Sequence, residues 1–381
     1  MVLALGAAGY GALAASTSRS QLARAVTWGE SDVGDYARFP ARRVTAAPSR
    51  VRFHRPPGGS LPPLPLRTVR VLEGGRPVQR DLLRFLAQSD TTAFLVLRGE
   101  RLLDEGSCNG YHHNATPTSM SIAKSVLGAL VGIAIDQGRS GSADDPITRY
   151  VPQLRRRDRR FGRITLRHLL TQPTPTDQQA APPAATTPPP TTRPTWAAAL
   201  RKTQIVEAPG RRFPYNNYNP LLVGLALERA TGTPVARYLE HRLWQPLGME
   251  AKASWSLDSR QNGCEKMESG LNARAVDFAK LGVLYAGGGA WQARQLVPRA
   301  WVQDPTVVPS GGGSVRAPAY RYFWWAQHDR RPSAVFARGK YGQHIYVVAK
   351  TRLVLVRFGR DSGDQHWPQL LSNLARQLDE P

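Results

Sequence analysis

The distribution of apolar residues predicts strands near both ends of the chain. The continuous apolar run Thr92–Leu97 is followed by a turn at Gly99 and a second short strand, which is the pattern of a β-hairpin. Towards the C-terminus, the runs His344–Val348 and Leu353–Phe358 predict two more strands, and Gln369–Leu378 predicts a helix.

Helical periodicity dominates the region between these strands. A helix is predicted over Ser121–Gln137, where Gly138 ends it. Its apolar positions follow four-three-four spacing: Ile122, Val126, Ala129 and Ile133. Further helical regions are predicted at Leu221–Leu247 and Val276–Tyr285. This order of elements predicts an α+β fold (an α/β sandwich), with an antiparallel sheet built from both termini, flanking helices and an inserted all-α subdomain.

Two segments lack such periodicity. Residues 25–66 are rich in Pro and Arg, which predicts an irregular lead-in on the surface. Residues 173–195 form a Pro-, Thr- and Ala-rich tract that predicts polyproline II or disorder rather than helix or sheet. Residues 67–381 are therefore expected to form the main domain, with 173–195 as an atypical loop within it.

The N-terminal residues 1–24 predict a signal peptide or a membrane anchor. Met1–Ala15 carries no charge and is short for a membrane span, which needs about 20 apolar residues. Ala12-Leu13-Ala14 offers a small-x-small cleavage site. The positive N-terminal region of a signal peptide is missing, so an uncleaved anchor stays an alternative. We expect an exported protein, either periplasmic, extracellular or membrane-anchored.

Composition narrows the range of partners and cofactors. The net charge of +23 comes from scattered Lys and Arg residues that do not alternate with aromatic residues, so no nucleic-acid partner is predicted. The same charge leaves open association with an anionic membrane or a cell-wall polymer. Cys108 and Cys264 could form one disulfide, and no Cys/His cluster or His-Glu-x-x-His motif indicates a metal site or another cofactor.

The strongest chemical signal is a Ser-x-x-Lys unit, Ser121-Ile122-Ala123-Lys124, at the start of the apolar helix. Residues three apart share a helix face, so the Ser121 hydroxyl and the Lys124 amine can touch. A serine hydroxyl becomes a good nucleophile when a neighbouring base removes its proton, and a desolvated lysine can be that base. On its own, such a four-residue pattern is equally typical of an exposed helix face.

Two later motifs supply partners for this pair. Tyr215-Asn216-Asn217 places a tyrosine, which can act as a general acid or base, and an orienting amide on a loop before a helix. Lys340-Tyr341-Gly342-Gln343 places a cation and a glycine at the start of a strand, where substrate can approach the backbone and an N–H can stabilise an oxyanion. Each motif also has an ordinary interpretation: Tyr215 as a loop aromatic, Lys340 as a solvated lysine, and the following His344 as a structural side chain.

The three motifs, in this order, resemble those of the serine β-lactamase and penicillin-binding-protein superfamily. The Tyr-x-Asn form is similar to the class C branch, and within it to the 6-aminohexanoate-dimer hydrolase-like serine hydrolases. The resemblance covers roughly residues 68–378 and includes Gln245-Pro246-Leu247-Gly248-Met249. It implies a β-lactamase/transpeptidase-like fold and a serine hydrolase without a cofactor.

The resemblance also implies roles for individual residues. Ser121 would be the acylated nucleophile, Lys124 its proton shuttle and Tyr215 the general base or acid. The remaining assignments are Asn217 as a polar orienter, Lys340 as a source of positive potential, the N–H groups of Ser121 and Gln343 as the oxyanion hole, and Gly342, Gln343 and His344 as substrate-binding residues.

The leading functional hypothesis is an exported serine hydrolase that cleaves an ester or amide bond of a small or peptide-like substrate through an acyl-enzyme. One alternative is a penicillin-recognising peptidase or β-lactamase. A second is a catalytically idle protein that binds cell-envelope ligands through its basic surface. The oligomeric state is not determined by the sequence.

Overall fold

A computed structural model describes residues 32–55, 67–171, 196–205, 215, 217–260, 263–304, 319–327, 333–363 and 365–379. The predictions for residues 1–24 and 173–195 lie outside these ranges, as do the lead-in residues 25–31 and 56–66.

The described residues form strands and helices that alternate in a mixed order along the chain. The strands are β1 Ala41–Val44, β2 Thr68–Glu73, β3 Arg76–Asp81, β4 Thr91–Arg98, β5 Arg101–Ser107, β6 Ala253–Ser256, β7 Leu271–Asn272, β8 Ala290–Trp291, β9 Arg294–Gln295, β10 Ala319–Arg321, β11 Trp324–Gln327, β12 Ala334–Gly339, β13 Gln343–Val348 and β14 Leu353–Gly359. The α-helices are α1 Leu82–Gln88, α2 Ile122–Asp136, α3 Pro152–Arg157, α4 Leu166–Leu170, α5 Trp196–Lys202, α6 Tyr218–Thr231, α7 Val235–Leu239, α8 Ala275–Ala286, α9 Arg299–Gln303 and α10 Trp367–Asp379.

The central sheet contains seven strands in the order β10-β11-β12-β13-β14-β4-β5. Every neighbouring pair is antiparallel. Two of its strands come from the first third of the chain and five from the last quarter, and β14 joins the two groups by pairing with β4. The predicted α+β fold, with an antiparallel sheet drawn from both ends of the chain and helices between, is confirmed.

Helices cover both faces of this sheet. On one face, α8 packs closely because Gly282 has no side chain: a Cβ there would lie 2.6 Å from Val354 Cγ1 and 2.9 Å from Ile345 Cγ2. On the other face, the Trp367 ring of α10 lies against the side chain of Arg357. Val354 and Arg357 are three residues apart in β14, so strand alternation directs them to opposite faces.

The element predictions at the two ends of the chain are confirmed to within two residues for β4, β13, β14 and α10. The helical region predicted over Leu221–Leu247 is instead broken. Gly232 adopts a φ of +65° and ends α6, and a second helix, α7, begins after Pro234. A left-handed residue interrupts the helical hydrogen-bond ladder, and glycine reaches that conformation at little cost.

The described part of the lead-in, residues 32–55, is more regular than the sequence predicts. Its strand β1 pairs with β6, and apolar residues such as Phe39, Val44 and Phe53 are buried in the core. The buried Lys280 Nζ donates to the carbonyl oxygens of Val51, at 2.5 Å, and Gly248, at 2.7 Å. This segment is therefore an integral part of the fold.

Asp277, beside Lys280 on α8, links stability to pH. Its carboxylate is fully buried and accepts a hydrogen bond from Glu250 N–H at 2.6 Å, and burial raises its pKa to about 6. The folded state therefore favours the protonated acid, so this residue's contribution is most favourable at low pH and is lost as the pH rises through 6. The loss amounts to about 3 kcal/mol.

Asp277→Asn keeps an acceptor but cannot ionise. We expect its unfolding free energy relative to the wild type to rise by about 2.4 kcal/mol from pH 4 to pH 7.5, since pH 4 is already just above the ordinary pKa of 3.8. Urea unfolding at both pH values measures this difference. Asp136→Asn, at an exposed position, controls for the loss of one negative charge. A difference between Asp277→Asn and wild type that stays constant over this range would contradict the prediction.

Candidate active site

A strained turn presents Ser121 at the start of α2. Met120, immediately before it, is buried and has a φ of +52°, which is uncommon for a non-glycine residue. The turn is held by Ser119 N–H, which donates to Leu271 O at 2.9 Å, and by Thr118 N–H, which donates to Val33 O at 3.0 Å. Such strain persists only where surrounding structure enforces it, and it commonly marks a functional position.

Lys124 lies at the centre of the site. Its Nζ donates hydrogen bonds to Ser121 Oγ at 2.7 Å, Tyr215 OH at 2.7 Å and Glu268 O at 3.0 Å. Only 1% of Lys124 is exposed, and three-residue spacing on α2 places it beside Ser121, as the sequence predicts. The arrangement joins a hydroxyl, an amine and a phenol in one hydrogen-bonded chain.

The ring of Tyr215 packs against two other aromatic side chains. Its ring stacks on Trp325 at 6.2 Å between centroids and meets Tyr320 edge-on at 5.8 Å. Tyr215 is 39% exposed, whereas Tyr320 is buried, and burial raises the pKa of Tyr320 well above its ordinary value. Tyr215 therefore combines a hydroxyl inside the site with a ring face that a ligand can reach.

Helix α2 is fixed to the turn between β10 and β11, the two strands that carry Tyr320 and Trp325. Ser125 Oγ donates to Phe323 O at 2.7 Å. Gly128 lies so close to Tyr322 O that any Cβ would clash with it. Phe323 and Tyr322 form the turn between β10 and β11. These contacts therefore fix the position of α2 relative to the aromatic side chains beside Tyr215.

The end of β12 closest to Ser121 lacks a neighbouring strand on one edge. Among the described residues, β11 pairs with β12 only from Ala334 to Phe336, which leaves 337–339 unpaired on that edge. Gly339 lies against the nucleophile turn, since a Cβ there would be 2.7 Å from Ser119 O and 3.0 Å from Met120 Cβ. Gly339 therefore lets β12 approach the turn before Ser121 closely, whereas the role predicted for Gly342 is the approach of substrate to the strand backbone.

Gly342 has a different neighbour. Its φ is +71°, and a Cβ would overlap the guanidinium group of Arg357. The arginine packed beneath the turn explains why glycine is needed at this position. The substrate-binding role predicted for Gly342 stays a prediction.

The side chains of Gln343 and His344 are also buried. The substrate-binding roles predicted for these two residues stay predictions. Gln343 Nε2 donates to Gly359 O at 2.6 Å, and Gly359 N–H donates to Gln343 Oε1 at 3.0 Å. His344 is 1% exposed, and burial together with the charges of Arg338 and Arg357 holds its pKa well below the ordinary value, so the ring is neutral. The backbone of Gln343 lies opposite Gly339 in the ladder.

The other predicted site residues lie near this centre or on its rim. Asn217 is half-buried at the N-cap of α6, and its side chain does not cap the helix. Lys340 is exposed in the turn after β12, with Nζ 4.7 Å from the centroid of the Tyr341 ring. The N–H of Ser121 donates no hydrogen bond to any described residue. An oxyanion donor has to be available in this way. The roles of these groups stay predictions.

Two arginines at the site belong to none of the sequence motifs, and neither was predicted as a site residue. Arg338, exposed on β12, directly precedes Gly339 and interacts electrostatically with Tyr215. Arg357, on β14, is fully buried beneath the turn that follows β12. Its guanidinium donates to Thr91 Oγ1 at 3.1 Å and to the carbonyl oxygens of Ser89 at 2.6 Å, Tyr341 at 2.8 Å, Gly342 at 3.0 Å and Asp361 at 2.9 Å.

A cavity among the described residues lies away from this centre. It has a volume of about 980 Å³, and its lining includes Trp291, Arg299 and Lys350 but none of the predicted site residues. The part of the chain that the structure describes contains no cluster of His, Cys, Asp and Glu suited to a metal ion, and no disulfide joins Cys108 to Cys264. Within the same residues, no helix has the length and apolar character needed to cross a membrane.

Comparison with known proteins gives consistent matches. The Beta-lactamase family profile matches residues 84–370. The chain is similar to the 6-aminohexanoate-dimer hydrolase of Paenarthrobacter ureafaciens, with 27% identity over 319 residues, which are 77% of this chain and 79% of the relative.

Solved structures share the fold at lower identity. The proposed 6-aminohexanoate-dimer hydrolase of Bacillus anthracis superposes with a TM-score of 0.76 at 23% identity over 93% of each chain. The Beta-Lactamase/D-Alanine Carboxypeptidase of Pseudomonas syringae superposes with a TM-score of 0.58 at 16% identity, over 78% of this chain and 97% of that one. These two likenesses concern the fold alone.

Proposed function

The chain belongs to the beta-lactamase family and is a serine hydrolase, and we propose that it cleaves linear amides of the 6-aminohexanoate type through an acyl-enzyme on Ser121. The observation that carries the proposal is the position of Lys124 Nζ, 2.7 Å from both Ser121 Oγ and Tyr215 OH. This geometry supports Lys124 as the base beside Ser121, with Tyr215 as a proton donor one hydrogen bond further on.

In the acylation step, the neutral amine of Lys124 takes the Ser121 proton while Oγ attacks the carbonyl carbon. The resulting oxyanion accepts hydrogen bonds from Ser121 N–H and from a second backbone N–H, for which Gln343 is the predicted donor. Each such donor typically contributes about 3 kcal/mol to stabilising the transition state.

Collapse of this intermediate breaks the C–N bond. Tyr215 gives its hydroxyl proton to the leaving nitrogen and regains one from the Lys124 ammonium, which returns the amine to its neutral form. Water then attacks the acyl carbon and loses its proton to the same chain, and the proton passes to Ser121 Oγ as the ester bond breaks. The products are a free amine and a carboxylic acid.

The proposal is tested by incubating the protein with the linear dimer of 6-aminohexanoate and measuring release of free amine. In parallel, a fluorophosphonate probe is added and the modified peptide is identified by mass spectrometry. We expect turnover of the dimer and a single adduct on Ser121. Turnover with the adduct on another residue would overturn the assignment of the nucleophile.

The alternative functions give different results in the same experiment. Stable trapping of labelled penicillin without turnover of the linear amide would favour a penicillin-recognising peptidase. Absence of any serine adduct, combined with salt-sensitive binding to anionic vesicles, would favour a catalytically idle envelope protein.

A further inference from the structure

The cavity at the C-terminal end of α8 is separate from the candidate active site. Its lining includes Val335 near the start of β12, whereas Gly339, at the other end of this strand, touches the turn before Ser121. At about 3.3 Å per residue, Val335 and Gly339 are roughly 13 Å apart along the strand. The cavity volume of about 980 Å³ is in the range of small-molecule sites in proteins. A ligand bound in this cavity would therefore occupy a site of its own.

Three cationic side chains line this cavity. Arg299 is the first residue of α9, and Lys350 and Arg352 lie in the turn between β13 and β14. All three are exposed, and within the described part of the chain no Asp or Glu forms an ion pair with any of them. Their charges are therefore available to a ligand.

The acidic groups close to these cations leave most of that charge uncompensated. Glu100, in the turn between β4 and β5, is the one acid among the described lining residues. Asp379 accepts a hydrogen bond from Thr351, between the two cations of the β13–β14 turn, but it is already paired with Arg98 at 3.0 Å. Three cations and one carboxylate give the described lining an excess of two positive charges, which attracts anions.

Both guanidinium groups lie against turns at the cavity. A Cβ on Gly288 would be 3.7 Å from Arg299 Nη1, and a Cβ on Gly99 would be 3.8 Å from Arg352 Cζ. Gly288 itself lines the cavity, and Gly99 directly precedes the lining residue Glu100. The charged ends of the two arginines are therefore at the cavity, where each can offer its fork of N–H donors to an anion.

The other part of the lining is apolar and buried. It comes from α8, α9 and the strands β8, β12 and β13, and includes Val283, Trp291, Val302, Val335 and Val347. Such a surface gains free energy when an apolar group covers it. The cavity therefore combines exposed cations with an apolar surface, which matches a ligand that has a charged end and an apolar body.

We propose that this cavity is a second binding site, and that its ligands are small amphipathic organic anions. The anionic end would accept charge-assisted hydrogen bonds from Arg299, Lys350 and Arg352, and the apolar body would cover the valine side chains and Trp291. This binding does not depend on the reaction proposed for Ser121.

Isothermal titration calorimetry of the full chain with octanoate tests the site. We expect the affinity of the wild type to rise from butanoate to octanoate by up to about fourfold per methylene. Octanol, which lacks the charge, and inorganic phosphate, which lacks the apolar body, should each bind at least about 10-fold more weakly than octanoate. Arg299→Gln/Lys350→Gln should lower octanoate affinity about 10- to 100-fold. Arg155→Gln/Arg156→Gln, the same charge change at exposed positions of α3, should keep the wild-type affinity.

The remaining outcomes would overturn the site. They are no octanoate binding to the wild type, wild-type affinity in Arg299→Gln/Lys350→Gln, an equal loss in both double variants, and phosphate binding as tight as that of octanoate. Hydrolysis of the 6-aminohexanoate dimer by Arg299→Gln/Lys350→Gln should equal that of the wild type. If the wild type does not hydrolyse the dimer, the proposed function fails, and calorimetry still decides whether this cavity binds organic anions.

Discussion

Replacing Ser121 by Ala is expected to lower hydrolysis of the linear amide by about 10⁴-fold or more while the protein stays folded. In the proposed mechanism the Ser121 oxygen attacks the carbonyl carbon and forms the acyl ester, and alanine removes that oxygen. Residual activity would come from the oxyanion donors and from substrate binding. The measurement is kcat on the 6-aminohexanoate dimer, with fluorophosphonate labelling of the same samples.

Ser119→Ala is the matched control for this substitution. Ser119 is two residues earlier in the same turn, its side chain is fully buried, and its Oγ lies 3.5 Å from Met120 O. We expect Ser119→Ala to keep the label, whereas Ser121→Ala loses it. Full activity in Ser121→Ala would place the chemistry on another residue and would remove the basis of the proposed function.

Replacing Arg357 by Met is expected to lower the free energy of unfolding by about 3–5 kcal/mol. Burial lowers the pKa of Arg357 to about 9, so the guanidinium keeps its charge at neutral pH. Its bonds to described residues go to four carbonyl oxygens and one hydroxyl, and methionine would remove all five of these donated hydrogen bonds.

Urea unfolding at pH 7 measures this loss, with two comparisons. Arg357→Lys keeps the charge but can reach fewer of the five acceptors, so it should recover only part of the stability. Arg149→Met, which removes an exposed ion pair with Asp145, should change stability little. If Arg357→Met unfolds at the wild-type urea concentration, the bonds seen at Arg357 do not contribute to stability.

Much of the fold could be predicted because its strongest elements are local in origin. The runs that became β4, β13 and β14 are apolar apart from Thr92, His344 and Arg357, and the apolar face of α2 repeats at helical spacing. Such patterns follow from burial on one or both sides of an element. They can therefore be recognised in the sequence without knowing which elements pack against it.

The hairpin β10–β11 shows why other elements could not be predicted. Its turn consists of Tyr322 and Phe323, both with positive φ, where glycine or asparagine would be the usual signal. Tertiary contacts support these residues: the Tyr322 ring stacks on Trp301 at 3.9 Å, and Phe323 N–H donates to Leu170 O at 3.1 Å. The stabilising partners are distant in sequence, so no local pattern announces the turn.

The candidate active site, too, could be predicted from the sequence only in part. The Ser-x-x-Lys spacing determined by itself that Ser121 and Lys124 would meet, because both lie on one helix and helix geometry fixes their separation. The motif order also identified Tyr215, 91 residues further on, as their partner.

The tertiary structure alone decided what surrounds that centre. It brought Gly339 against the nucleophile turn, buried Gln343 and His344, placed Arg357 beneath Gly342 and left Arg338 open at the rim. Each of these outcomes depends on which strands are neighbours and which face of the sheet a residue occupies. Those are properties of long-range packing, which a one-residue change of register would reverse, and local sequence does not encode them.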